Sequence, residues 1–456
     1  MPQILYYSTN LKAGNVSFRN ALLKGLATDG GLYMPESLPL LSRQEIKSFS
    51  DIPYYEIAYQ IARKYLHDVI TDEELLAITR DAYNYDVPLE NVYEKKYIMR
   101  LDQGPTASFK DFAARMMGRL MQYFLTEEKR NLLILTATSG DTGSAIANAF
   151  YGLENIKVVI LFPEAEVTDR QRKQMTTLDK NIQIVALNAK FDDCQALVKQ
   201  AFNDPELEYL NLSSANSINI GRLLPQSMYY IYAYSRLCDI SKGDEIIFSV
   251  PSGNFGDLMG GLIAMKMGLL VKKFVVCTNE NDEVPEYFKT GNYKTIMPSL
   301  NCISSAMNVG HPSNMARIVA LYGGVMNEKG EVTKIPDMES MKRDMFTISI
   351  SDSETLETIK KVYQRHKVLL EPHGSVGWSG LQHYLAFSSD NDSPLQVCVS
   401  LETAHPAKFP GEIQQILGFD PELPESLSGL DNKEEQLVRV ENNYSIFKQF
   451  LKENYF

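Results

Sequence analysis

Cysteine is sparse in this chain of 456 residues and never paired: Cys194, Cys238, Cys277, Cys302 and Cys398 are scattered, odd in number and without a CxxC spacing. That excludes a disulfide framework and a cysteine zinc site, and it fits a reducing compartment. The six histidines show no HExxH or comparable ligand spacing, so no metal is expected. No apolar run approaches the roughly 18 to 20 residues of a membrane span, and the start MPQILYYSTN lacks the charged segment and apolar core of a secretory signal. Basic runs are missing too. With a formal net charge of -12, general binding to nucleic acid is not expected, and any anionic ligand needs a locally positive site. The nucleotide motifs GxxxxGK[ST] and GxGxxG with a following acidic ribose ligand are also absent. These absences point to a cytoplasmic protein.

What remains is an ordinary globular composition, 44% hydrophobic and 22% charged, in a chain long enough for two or three domains and a cleft between them. From residue 131, β-branched runs alternate with amphipathic stretches: NLLILTA before SGDTGSAIANAFYG, IKVVILF before DRQRKQMTTL, IQIVAL before FDDCQALVKQAF. This is the pattern of βα units on a parallel sheet. A second series runs through DEIIFSV, GDLMGGLIAMKMG, KKFVVCTN, FTISISD, SETLETIKKVYQRH, PLQVCVSLE and KFPGEIQQILG. Residues 205–225, rich in Ser and Asn with little periodicity, read as a connection bearing polar contacts.

Two strand-to-helix junctions have unusual turns, TATSGDTGSA at 136–145 and SVPSGNFGDLMGG at 249–261. Glycines there let amides converge where a helix N-terminus carries partial positive charge, so each turn can either hold a phosphate or carboxylate or simply join its strand to its helix. A side chain at Gly253 would hinder any left-handed backbone and crowd an approaching anion. A third feature is GPTASFKDFAARMMGRL, which puts Lys110 at the head of a helix. A cation there opposes the helix dipole. Either it is a surface lysine on an ordinary first turn, or its amine is wanted for chemistry.

Taken together, GPTASFKDFAAR, LTATSGDTGSA, SSANSINIGRLLPQ, VPSGNFGDLMGG, EPHGSVG at 371–377, TAHPAKFP at 403–410 and VSFRNALLKGLATDGGLYMPESLP near the start make the chain resemble the threonine synthases. These are pyridoxal-phosphate enzymes of fold type II, the tryptophan-synthase-β-like group. The resemblance covers nearly the whole length. It implies two doubly wound α/β domains with a cofactor cleft between them, plus an N-terminal segment over 1–95. The larger domain is expected over 96–134 and 236–456, and a smaller, mobile one over 135–235.

By this resemblance Lys110 holds pyridoxal 5'-phosphate as a Schiff base and later shuttles protons. Gly253, Asn254, Phe255, Gly256 and Asp257 match the cofactor-phosphate loop, and Thr403 the residue facing the pyridine nitrogen, where a neutral hydroxyl makes a milder electron sink. Ser139, Gly140, Asp141, Thr142 and Gly143 match the loop that grips the substrate carboxylate. Wider relatives often have Asn at the place of Asp141, and Asp fits threonine synthases. Ser214, Asn216, Asn219 and Arg222 are candidates for the substrate phosphate, beside the reading of that segment as a polar linker. Glu371, His373 and His405 are pocket candidates with no defined role.

The resemblance implies conversion of O-phospho-L-homoserine and water to L-threonine and phosphate. A related lyase or dehydratase giving 2-oxobutyrate stays open, as does a non-catalytic phosphometabolite-binding protein on the same fold.

Overall fold

A strand covered by helices on both faces must be apolar along its whole length, which is why the β-branched runs become parallel strands. The computed structural model describes residues 3–138, 140–387 and 394–455. Among the described residues, most strands gather into two sheets. The larger has the order Met345–Ser349, Val271–Thr278, Ile246–Pro251, Val397–Glu402, Lys96–Arg100, Leu89–Tyr93, parallel throughout except for the antiparallel last pair. The smaller has the order Val438–Val440, Ile182–Leu187, Ile156–Pro163, Leu132–Ala137, Leu212–Ser213 and is wholly parallel. Every residue of Leu132–Ala137, Ile246–Pro251 and Val397–Glu402 is buried. No helix among the described residues is long and apolar enough to cross a membrane.

The two expected α/β units are therefore present, but their boundaries need correction. A break after residue 134 cuts through the strand Leu132–Ala137, and a break after 95 splits the hairpin of Leu89–Tyr93 with Lys96–Arg100. The C-terminal stretch does not stay with the larger domain. Val438–Val440 pairs with Ile182–Leu187, and the helix Tyr444–Asn454 buries Phe447 and Leu451 among Val185, Leu197 and Val198 of the smaller unit. Periodicity marks an element but says nothing about which sheet edge it hydrogen-bonds to.

The helix Lys110–Glu128 is the joint of the molecule. Its apolar side chains Phe112, Met116, Met117, Met121 and Phe124 are buried in one cluster with Phe18, Leu22, Tyr54 and Ile61 of the leading segment and Ile146 and Phe248 of the two sheet units. The first 95 residues consequently have no separate core. Phe112 makes edge-on contacts with Tyr54, Tyr85 and Tyr229 at 5.1 to 5.5 Å, which fixes the start of the helix two residues from Lys110. Truncating it to alanine would cost about 3–5 kcal/mol.

Candidate active site

Ala107 adopts a left-handed conformation (φ 51°) that closes a turn through its amide to Gly104 O at 2.9 Å. Asp111 then folds back, accepting from Thr106 N at 2.8 Å and Thr106 Oγ1 at 2.7 Å. The anion that suits a helix N-terminus is thus Asp111, and Lys110 is free for another use. Its side chain lies over the Phe109 ring at 4.6 Å, is 13% exposed, and brings Nζ to 3.9 Å from Asp141 Oδ2. Burial, helped by the Lys408 and Arg222 charges, draws the amine below its ordinary pKa, while Asp141 and Glu371 act the other way. An amine that sheds its proton more readily is present more often in the neutral form that can act as nucleophile and base near neutral pH.

The turn after Ile246–Pro251 leads into the helix Gly256–Lys266, with Phe255 left-handed at φ 59°. Among the described residues, the amides of Gly253, Asn254, Phe255 and Gly256 donate to no protein acceptor. They form an open set of donors at a helix N-terminus, the chemistry that suits a phosphate. The turn is held from behind. Asn254 Oδ1 accepts from Ser313 N at 3.0 Å and Ser313 Oγ at 3.1 Å, and Asn254 O accepts from Asn314 Nδ2 at 3.0 Å. Gly253 is not left-handed, which corrects the conformational half of its expected need. What requires glycine is packing, since a Cβ there would lie 2.8 Å from Met307 Cα and 2.9 Å from Ala306 O. Asp257 stands in the first turn of the helix, and its carboxylate turns away from the open amides into the core to accept from Tyr229 OH at 2.5 Å and Tyr230 OH at 2.7 Å. Burial pushes it up to about 6 despite the two hydroxyls.

The second turn is built differently. Ser139 lies outside the described residues. Gly140 has φ 132°, and a Cβ on it would meet the Gln171 amide at 2.8 Å. Thr138 Oγ1 accepts from Gly140 N at 3.0 Å and Gly143 N at 2.7 Å. Those two amides, expected to face a ligand, are used within the turn, whereas those of Asp141 and Thr142 have no acceptor among the described residues. The Asp141 side chain pairs with Lys408 Nζ at 2.6 Å and accepts from Gln171 Nε2 at 3.0 Å. Burial alone would raise its carboxyl, but the Lys408 and Lys110 charges overcome that and hold it well below the usual carboxylate range.

Thr403 follows the strand Val397–Glu402. Its carbonyl accepts from Phe109 N at 2.9 Å, which sets it beside Lys110, and its hydroxyl donates to Glu371 Oε1 at 3.4 Å. Glu371 Oε2 meets His373 Nδ1 at 2.5 Å, and His373 Nε2 accepts from Ala306 N at 3.0 Å. That acceptor role puts the ring proton on Nδ1, facing Glu371. The pair thereby steadies Ala306 and Met307, the segment against which Gly253 packs. His405 Nδ1 accepts from Ala407 N at 3.1 Å, capping the turn Pro406–Lys408.

Of the polar linker candidates, three build their own segment. Asn219 caps the short helix Ile220–Leu223 through Gly221 N at 2.9 Å and donates to Leu22 O at 2.9 Å and Ser214 O at 3.0 Å. Asn216 Oδ1 accepts from Thr136 Oγ1 at 2.6 Å, and Ser214 Oγ accepts from Asn216 N at 3.2 Å. Arg222 is the exception. It is buried, donates from Nη1 to Ala215 O at 2.7 Å, and has no partner for Nε among the described residues. Burial brings its pKa down to about 10. Thr138 and Lys408 escaped the sequence reading. Both stand inside quoted motifs, but nothing local distinguishes an organising hydroxyl or a buried lysine from its neighbours.

Three family models together span the chain: "Threonine synthase N terminus" over residues 5–83, "Pyridoxal-phosphate dependent enzyme" over 87–399 and "Threonine synthase, C-terminal" over 378–451. The threonine synthase of Haemophilus influenzae is 41% identical over 96% of this chain and 96% of its own. Among solved structures, a pyridoxal-phosphate-bound threonine synthase from Brucella melitensis superposes with a TM-score of 0.90 at 31% identity, covering 99% of both chains. The Escherichia coli threonine synthase gives 0.86 at 34% identity, covering 98% of this chain and 99% of that one.

Proposed function

The chain belongs to the threonine synthases, enzymes dependent on pyridoxal phosphate, and from that premise we propose that it converts O-phospho-L-homoserine and water to L-threonine and phosphate. The observation that carries this reading is the meeting at one residue, Lys110, of the Asp141 turn, whose carboxylate faces the buried Nζ, and of the Thr403 strand end, whose carbonyl holds the amide of the neighbouring Phe109. The open amides of Gly253 to Gly256 supply the phosphate cradle that the cofactor needs. Lys110 would hold the cofactor covalently, and the neutral Thr403 hydroxyl would face its ring nitrogen. When bound, pyridoxal phosphate supplies an electron sink that lets C–H bonds of an attached amino acid break.

The remaining work falls to the chain's own groups. The open amides of Asp141 and Thr142 receive the substrate carboxylate, and the unpartnered Arg222 Nε offers a donor to its phosphate. Lys110 Nζ takes the proton from Cα, gives it up, and takes a second from Cβ, which frees phosphate to leave Cγ; protons then return to Cγ and to Cα, and water adds its hydroxyl at Cβ as it yields its own proton. One base within reach of neighbouring carbons suffices for these transfers. The reaction is the last step of threonine biosynthesis, and we place it in the cytoplasm, a location supported by the unpaired cysteines.

The test is to incubate the pyridoxal-phosphate-loaded protein with O-phospho-L-homoserine in D₂O. Phosphate and threonine are expected in equal amounts, with deuterium at Cα and Cγ. Phosphate matched by 2-oxobutyrate would make it the related lyase that gives 2-oxobutyrate, and efficient deamination of free threonine would sink the assignment.

A further inference from the structure

Lys408 closes the turn Pro406–Lys408, which follows the Val397–Glu402 strand of the larger sheet, and it is 0% exposed. An ammonium is costly to bury unless paired and hydrogen-bonded. Its partners are Asp141 Oδ1 at 2.6 Å and Thr106 O at 3.0 Å. The same two acceptors are approached from the smaller unit: Gln171 Nε2 donates to Asp141 Oδ1 and Gln174 Nε2 to Thr106 O, each at 3.0 Å. On the other side of the carboxylate, Asp141 Oδ2 is 3.9 Å from Lys110 Nζ. Two lysines therefore share one carboxylate unequally.

We propose that Lys408 is a positioning residue for the reaction: by engaging Asp141 at close range from one side, it leaves the Lys110 amine on the other side without a full counter-ion. This rests on Lys110 being the reactive amine. The other charges felt at Lys110 come from three further elements. Arg222 acts in the same sense as Lys408, while Glu371 and Asp257 act in the sense of Asp141. Removing the Lys408 charge would end its repulsion of Lys110 and free Asp141 to close on it. Both changes tighten the hold of Lys110 on its proton, which otherwise leaves to solvent.

The amine can be read directly in the cofactor-free protein, by following acetylation of Lys110 with acetic anhydride against pH and quantifying its peptide by mass spectrometry. In Lys408→Met the midpoint of that profile is expected to rise by about one to two pH units, so labelling below it slows about tenfold to a hundredfold. Lys408→Arg should keep the wild-type midpoint within a few tenths. An unmoved midpoint in folded Lys408→Met overturns the proposal. Because that variant strands the Asp141 charge, the pair Lys408→Met/Asp141→Asn, which leaves neither charge behind, is made alongside it. Its midpoint is expected below the wild-type value, since the shared carboxylate is gone and Arg222 remains; a midpoint at or above wild type overturns the sharing. Visible absorbance of bound cofactor is measured separately. Absorbance that survives Lys110→Ala breaks the underlying reading, whereas normal absorbance with an unmoved midpoint breaks only the role of Lys408.

Discussion

Asp257 and Asp141 stand at the same station, each in the first turn of a helix that follows a strand and a glycine turn, yet they end in opposite electrostatic states. Asp257 is buried between two tyrosine hydroxyls, and desolvation wins, pushing it up to about 6. Asp141 is equally buried between two lysines, and the charges win, holding it well below the usual range. The difference runs through both turns. The Gly253 turn is fixed by shape, wedged against Ala306 and Met307 and tied to Ser313, whereas the Gly140 turn is fastened to the larger domain by an ion pair. On the proposed function, one backbone device would serve a cofactor that stays and a substrate that comes and goes.

The largest expected effect comes from the residue between the turns. Lys110→Ala should lower kcat/KM by about 10⁴-fold or more and abolish the visible absorbance of bound cofactor, with an unchanged circular dichroism spectrum because no core side chain is lost. Normal turnover would make Lys110 an ordinary lysine and leave the two turns with nothing to share.

Gly253→Val and Gly140→Ala then set one turn against the other. In Gly253→Val the new side chain meets backbone, so titration of the cofactor-free protein should show affinity for pyridoxal phosphate weakened about tenfold to a hundredfold. Gly140→Ala forces a strained backbone and crowds Gln171, at a cost of about 1–3 kcal/mol. Steady-state kinetics should register it as a raised KM for O-phospho-L-homoserine with cofactor affinity nearly intact. Should both variants weaken the same ligand, the distinction between the turns collapses.

The smallest effect concerns Asp257 and depends on pH. Its folded pKa of about 6 exceeds the unfolded value near 4, so the native state binds this proton more tightly, and wild-type stability falls as pH rises from about 4 to about 6 and then levels off. Asp257→Asn should gain on wild type across that window, by on the order of 2 kcal/mol in total. Denaturant titrations of the cofactor-free proteins at pH 5 and pH 8 would show it. An equal difference at both pH values would mean that the tyrosine hydroxyls, and not desolvation, decide the state of this carboxylate.

Much of the fold was legible because periodicity is local. The runs NLLILTA, IKVVILF, IQIVAL and PLQVCVSLE all lie on strands of the two sheets, and both glycine turns stand at strand-to-helix junctions. Lys110 was legible as an oddity, a cation where the dipole prefers an anion. The C-terminal strand Val438–Val440 was assigned to the wrong domain because its partner, Ile182–Leu187, lies some 250 residues earlier in the chain. Asn219 read as a ligand candidate because Ser- and Asn-rich segments bind anions and cap helices with the same atoms.

By itself the sequence determined the order of strands and helices and the family, and it singled out Lys110 as a lysine out of place, because those depend on residue type at short spacing. Only the tertiary structure decided what each polar group does. It turned Asp257 into the tyrosine pair and Asp141 toward two lysines, spent the Gly140 and Gly143 amides on Thr138, and buried Lys408 completely. Desolvation and Coulomb energies depend on distance in space and on exclusion of water, and the spacing of residues along the chain encodes neither.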